Sequence, residues 1–301
     1  MTDAEQAAPR TLQLVSRSTY VREWLLSAVF FICAFVFVLA VALIFVFVGW
    51  QAWPIVTQYG FTKFLTGTTW SSGANAFGIL PLIAGSFIVT LGALALGTPL
   101  AVGTAVFLSD VASPKVRTFV RPAVELLAGI PSVVYGFFGI IFLRSVMSRL
   151  TGTLGFGAST AWIVLAIMIV PTIAALSEDA LRSVPEGIRE ASYAMGATQW
   201  QTIYKVVVPA ARIGIFDAII LGMGRAIGET MAVLMVVGNA PVFPRGIFAP
   251  LSTMTSQIVM DMPYAVGMHR TALFAMAAML FLFSMLLVGA VRLLSRLGET
   301  S

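Results

Sequence analysis

The sequence predicts an all-α, polytopic membrane protein with six transmembrane helices, and three observations carry that reading. Of its 301 residues, 59% are hydrophobic and 10% are charged, and the mean hydropathy is +0.96. A typical soluble domain carries about 25% charged residues. The apolar residues gather in long runs, each enough for a helix across about 30 Å of hydrocarbon, where a membrane barrel would show short alternating segments. The charges, net +5, flank these runs as topology signals. No basic cluster is interleaved with aromatics, so the charge predicts a lipid bilayer and no nucleic acid as partner. The single cysteine, Cys33, lies in the first run and cannot form an internal disulfide.

Residues 1–22 read as a polar tail, followed by a first transmembrane helix over 23–50, its apolar run reaching from Trp24 to Trp50. That run is too long for a signal-peptide core and lacks a small-residue cleavage site, so it is expected to be retained. Residues 51–77, with Pro54, Tyr59, Lys63 and Trp70, read as an extramembrane loop. The second helix is expected from Gly78 to about Leu108, kinked at Gly97-Thr98-Pro99, since proline removes a backbone hydrogen bond. After a polar stretch from Asp110 to Arg121, a third helix is expected over Pro122 to Met147 and a fourth over Thr160 to about Leu176. Residues 177–212 are polar, the fifth helix occupies Ile213 to Val237, and Asn239 to Arg270 reads as a loop with four prolines. The sixth helix runs from Thr271 to about Leu294, leaving a short tail over 296–301.

Six spans put both termini on one side. That side, with the 110–121 and 177–212 segments, holds 12 Lys and Arg residues against 5 on the other, with Arg225 left inside a helix. The positive-inside rule makes the richer side cytoplasmic. The sequence shows no internal repeat of the kind that marks many secondary transporters.

The 177–212 segment therefore faces the cytoplasm. Pro185 and Glu186 can open a helix, and Ile188, Ala191 and Met195 recur at three and four residues. Gly196 stops or bends that helix before a second apolar series at Trp200, Ile203 and Val207, which Pro209 restricts. Two short helices at an angle are expected, with apolar side chains exposed at the bend. An exposed apolar patch marks a partner surface, and an amphipathic element lying on lipid headgroups is the alternative.

Arg225 falls 12 residues into the fifth helix, counting from Ile213, near mid-membrane, where an unpaired guanidinium costs several kcal/mol. Glu229, four residues on, is expected on the same helical face. One reading is a structural ion pair; the other is an anion site, with the guanidinium fork on the anion and Glu229 balancing the charge when the site is empty. Gly224 and Gly228 form a small-xxx-small pair suited to close helix packing. Gly129-Ile130-Pro131-Ser132 is expected to break the third helix at similar depth, where irregular backbone needs protein or a wet cavity around it. Ser132 and Tyr135 could then donate to an anion, or Ser132 could bond its own backbone. Glu125 reads equally as a headgroup-level carboxylate or a pathway residue, Asp217 as a helix cap, and His269 as structural. One histidine and one cysteine make a metal site unexpected. There is no G-x-x-x-x-G-K-[ST] phosphate loop, nucleophile elbow or zinc motif, so a catalytic site is not expected and any ATP is used elsewhere.

Glu190-Ala191, Gly196, the aliphatic Ile203, Pro209 and then Ile213-Gly214-Ile215 resemble the EAA motif of ABC importer permeases, with Ser192 in place of that motif's second alanine. Glu125 to Gly136, and Gly224-Arg225-Ala226-Ile227-Gly228-Glu229-Thr230-Met231-Ala232, resemble the phosphate-specific permeases of that family over about residues 76–295. The ending Glu-Thr-Met-Ala differs from the Glu-Thr-Ala-Pro usual in the PstA type. The resemblance implies a type I (MetI-like) permease core over 78–295 in a bacterial inner membrane. It also implies coupling of Glu190, Ala191, Gly196, Ile203 and Pro209 to an ATPase, and a phosphate pathway past Arg225, Glu229, Ser132 and Tyr135. The implied partners are a PstA-like permease, two PstB ATPases, a PstS-like phosphate-binding protein and, at the cytoplasmic face, a PhoU-like regulator. No cofactor is expected in this chain, ATP and Mg being used by the partner ATPase. Another oxyanion, molybdate or sulfate, or a secondary transporter, are the alternatives.

Overall fold

The computed structural model describes residues 17–297, without the side chains of 17–22, 290, 292 and 294–297. Of the tails expected over 1–22 and 296–301, residues 1–16 and 298–301 lie outside the described residues, as do the side chains of Arg10, Arg17, Arg22, Arg292 and Arg296, while 17–22 and 296–297 are helical rather than tail. The chain divides into two units at Trp50 and Gln51. Among the described residues, five helical stretches are long and apolar enough to cross a membrane, and a sixth is counted if the bent pair Gln199–Ala210 and Arg212–Gly228 is one span.

The first unit consists of helix α1 (Arg17–Pro54), whose last residues enter the second. In the second unit, residues 51–77 are not the irregular loop that their polar composition suggests. Helix continues through a π-helical turn (Ile55–Gly60) into α2 (Phe61–Thr66), and the hairpin β1 (Trp70–Ser71) and β2 (Ala76–Phe77) follows in the register Trp70 to Phe77. The reason is apolar side chains spaced among the polar ones: Ile55, Phe64, Trp70 and Phe77 are buried with Leu82, Met254, Leu273 and Met276. Gly67 and Gly78 touch, and a Cβ on Gly78 would fall 2.3 Å from the Gly67 carbonyl carbon.

Helix α3 (Leu80–Val106) continues through Pro99 and ends in a π-helical turn, Phe107–Val111. It packs along α7 (Ala158–Arg182), where Gly92 admits the Trp162 ring, whose Nε1 donates to the Ile88 carbonyl at 2.8 Å. The third span is shorter than expected and is preceded by an amphipathic helix, α4 (Pro114–Gly129). The break falls at Ile130-Pro131, as proline chemistry predicts, and α5 (Ser132–Phe138), a π-helical turn and α6 (Arg144–Thr151) complete the span. Helix α7 outruns its expected end at Leu176 because Ser177, Glu178 and Leu181 are buried and the carboxylate is ion-paired.

The polar segment before the fifth span folds as α8 (Glu186–Ala194), α9 (Gln199–Thr202), a π-helical turn (Ile203–Val207) and α10 (Val208–Ala210). The fifth span is also broken: α11 (Arg212–Gly228) ends before Glu229, and α12 (Met231–Val236) follows. At about 1.5 Å per residue, its 17 helical residues reach about 26 Å, short of a full span without α12. Residues 239–270 are not simply a loop, since they hold a helix buried over its first half, α13 (Met254–Asp261), before α14 (Gly267–Leu297). Its polar residues are satisfied locally by a capping box between Thr253 and Ser256. The main core joins α3, α5, α7, α11 and α12 through residues such as Val89, Ile169, Ala218 and Val236.

Candidate functional site

A chain break at Pro131, before the third span, and another at Glu229, within the fifth, accompany a half-buried polar group beside this core. Arg225 lies in the last turn of α11, where a cation complements the carbonyl end of the helix dipole. Its guanidinium is half-buried, donates to Thr172 Oγ1 of α7 at 3.3 Å, and lies within electrostatic range of the Tyr135 hydroxyl. Glu229 does not share its face as a four-residue spacing implies. The helix ends at Gly228, Glu229 has extended backbone (φ −68°, ψ 127°), and its Oε1 accepts from the Ala232 amide at 3.0 Å. Among the described residues, no ion pair joins Arg225 to a carboxylate. A guanidinium has five N–H donors, so most of its donor capacity is open to an anion.

Tyr135 is also differently employed from expectation. Its hydroxyl donates to the Leu127 carbonyl at 2.7 Å, satisfying backbone freed by the Pro131 break. Ser132, half-buried at the start of α5, shares the Tyr135 face at three residues' spacing. Gly136 on the next turn of α5 packs against α12, where a Cβ would fall 2.6 Å from Met235 Sδ. Gly224 and Gly228 have nothing within 4 Å of a Cβ position.

Two residues of this site escape a reading of the sequence. Thr172 is one hydroxyl in an apolar run, noticeable only from its place beside Pro171. Thr255, in the segment read as loop, donates from Oγ1 to the Glu229 carbonyl at 3.1 Å and so holds the second break from α13. The capping pattern from Thr253 to Ser256 was the available signal.

The α8–α10 segment forms a second, separate candidate surface. Gly196, at φ +82°, turns the chain after α8, and its amide and that of Ala197 bond back to Tyr193 and Ser192 carbonyls at 2.9 and 3.2 Å. Ser192 and Thr202 hydroxyls, 2.9 Å apart, tie α8 to α9. Met195, Trp200 and Tyr204 are exposed at 89%, 66% and 76%, which gives the apolar bend a water-facing surface. Glu190, Ala191 and Pro209 are exposed, whereas Ile203 and Val207 are buried and hold the bend together rather than face outward.

Beneath it lies a charge network. Glu178, 1% exposed, meets Arg117, Arg121 and Arg182 at 3.9, 3.5 and 3.7 Å. Arg121 also pairs with Glu125 at 3.0 Å and Asp179 at 3.1 Å, and the Glu125 hydrogen bond is the largest of the effects that raise its pKa. Glu125 is thus a carboxylate of α4, outside the spanning helix. Asp217 lies in the second turn of α11 rather than capping it, and α11 has no side-chain cap. His269 Nε2 lies 3.0 Å from Asp261 Oδ2, with its ring stacked on Phe77, in a packing role.

Residues 97–297 match the family described as binding-protein-dependent transport system inner membrane component. The chain is 38% identical over 271 residues to a probable ABC transporter permease protein, YqgH, of Bacillus subtilis, covering 87% of each chain. It is 34% identical over 284 residues to the phosphate transport system permease protein PstC of Pasteurella multocida, covering 88% of each. In structure it resembles the inward-facing MetNI methionine ABC transporter, with a TM-score of 0.56 and 25% identity over 73% of this chain and 93% of that one.

Proposed function

We infer that this chain, which belongs to the binding-protein-dependent transport system inner membrane component family, is the permease subunit of an ATP-driven importer of inorganic phosphate. As a member of that family it is a multi-pass inner-membrane component working with other importer components. The observation that carries the substrate class is Arg225, held at the end of a broken helix with a threonine hydroxyl and, among the described residues, no ion-paired carboxylate against it. Relatives described as phosphate permeases supply the identity of the anion.

In this reading, phosphate released by a PstS-like binding protein enters between this chain and a PstA-like permease and is met by the Arg225 fork, with Ser132 one further donor. Two PstB ATPases bind the α8–α9 bend through Met195, Trp200 and Tyr204. They use ATP and Mg, while this chain contributes no catalytic group. The charge count supports a cytoplasmic side for both termini and the bend. A PhoU-like regulator would reach the same face. Glu229 acts on selectivity: phosphate at neutral pH retains a proton that a carboxylate can accept, and sulfate does not. Proteoliposomes carrying the chain with the three partner types test the whole. ATP-dependent phosphate uptake, outcompeting molybdate and sulfate, is expected; preferential uptake of another oxyanion would reassign the substrate, and failure to co-purify an ATPase would remove the function.

A further inference from the structure

One residue receives both helices of the cytoplasmic bend. Arg189 of α8 pairs with the Asp110 carboxylate through Oδ1 and donates to the Leu181 carbonyl at 2.9 Å. Gln199 of α9 donates from Nε2 to the Asp110 backbone carbonyl at 2.8 Å. Asp110 sits in the π-helical turn that ends α3, and the same turn is held from α4, where Arg117 donates to the Leu108 carbonyl at 2.6 Å and to that of Ser109. Arg117 also meets Glu178, and Glu178 meets Arg121, which pairs with Glu125 one turn before the end of α4. A chain of contacts, ionic except where Arg117 meets the Leu108 and Ser109 carbonyls, thus runs from the bend to Glu125 in α4.

The Asp110 side chain is 4% exposed, yet its Oδ2 and the neighbouring Ser109 Oγ are buried without a hydrogen-bond partner. An open carboxylate oxygen in the interior is costly, so this pairing is incomplete as it stands. Arg117 and Arg182, both paired with Glu178, line the same cavity as Asp110, so further guanidinium donors stand in the cavity of the open Oδ2. A charge with a second partner in reach is the kind of two-arrangement element that can carry coupling between sites.

We propose that Asp110 is the positioning residue that fixes the angle of the α8–α9 bend against α3, and thereby sets how much phosphate moves per ATP hydrolysed. The proposal rests on the transport reading above and goes beyond it by naming the joint. The test is the reconstituted complex in proteoliposomes, with ATP hydrolysis and phosphate uptake measured on the same sample. If the wild-type complex shows neither, the transport reading falls and the proposal with it. With an active wild type, Asp110→Asn is expected to co-purify with the ATPase, hydrolyse ATP and lower phosphate moved per ATP by about tenfold. Arg189→Gln should do the same, and the double variant should be no worse than either single one. A wild-type ratio in Asp110→Asn, or losses that multiply in the double variant, overturns the proposal. So does loss of the ATPase, which would make Asp110 an assembly contact. Gln199→Ala keeps the ion pair and loses only the carbonyl contact; should Asp110→Asn fail to fold, an unchanged ratio in Gln199→Ala overturns the proposal as well.

Discussion

Arg225 and Glu229 are four residues apart and do not face each other, because the helix carrying the arginine ends at Gly228 between them. The guanidinium keeps its charge for something other than this carboxylate. Arg225→Ala should lower phosphate uptake by about ten- to a hundredfold, the equivalent of about 1.5–3 kcal/mol for a charged hydrogen bond. Arg225→Lys retains the charge without the fork and should recover only part of the rate. Uptake of radiolabelled phosphate at matched membrane abundance measures both.

Selectivity is expected to respond at the other side of the break. Glu229→Gln keeps an oxygen for the Ala232 amide, so the start of α12 should persist, while the negative charge is lost. Sulfate should then compete with phosphate several-fold more strongly than in the wild type. Competition by sulfate that stays at the wild-type level would remove Glu229 from selectivity.

Trp200 separates docking from folding. Its side chain is 66% exposed, so Trp200→Ala should change thermal stability by less than about 0.5 kcal/mol. As an aromatic anchor its loss should weaken ATPase binding by about 2 kcal/mol or more, seen as loss of the ATPase on dilution of the purified complex. Ile203→Ala, truncating a residue only 4% exposed, should do the reverse and first lower the melting temperature.

Gly92 tests the packing of the two central helices. A Cβ there would fall 2.1 Å from the Trp162 indole, so Gly92→Ala should destabilise the chain by about 1–3 kcal/mol. Combining it with Trp162→Leu should recover part of the loss in a thermal melt in detergent, since the smaller side chain removes the collision.

Much of this fold is legible because the bilayer imposes a simple code. Runs such as Leu80–Val106 and Ala158–Arg182 announce themselves by apolar length, and Pro131 announces a break by its missing amide. What escapes the sequence is polar burial. Glu178 looks like the start of a loop until three arginines from two helices are seen around it, and the Thr253–Gln257 stretch looks like loop because its hydroxyls satisfy one another only once folded. The Arg225–Glu229 pairing fails for a related reason. Helical spacing holds only while the helix lasts, and Gly228 gives little local warning that it stops.

The breaks at Pro131 and Glu229 interrupt the hydrogen-bond ladder beside a single core. A continuous helix carries rotation rigidly from one end to the other, whereas a gap in its hydrogen-bond ladder lets the halves turn separately. Helices α5 and α12 meet where Gly136 approaches Ala232 and Met235, and both share that core with α7 and α11, while the ion pairs of Glu178 join α4 to α7 on the other side of the Pro131 gap. Arg225 stands in the last turn of α11, beside the second gap. An anion bound by it would sit where the chain can turn on one side of the charge without carrying the helix that holds it.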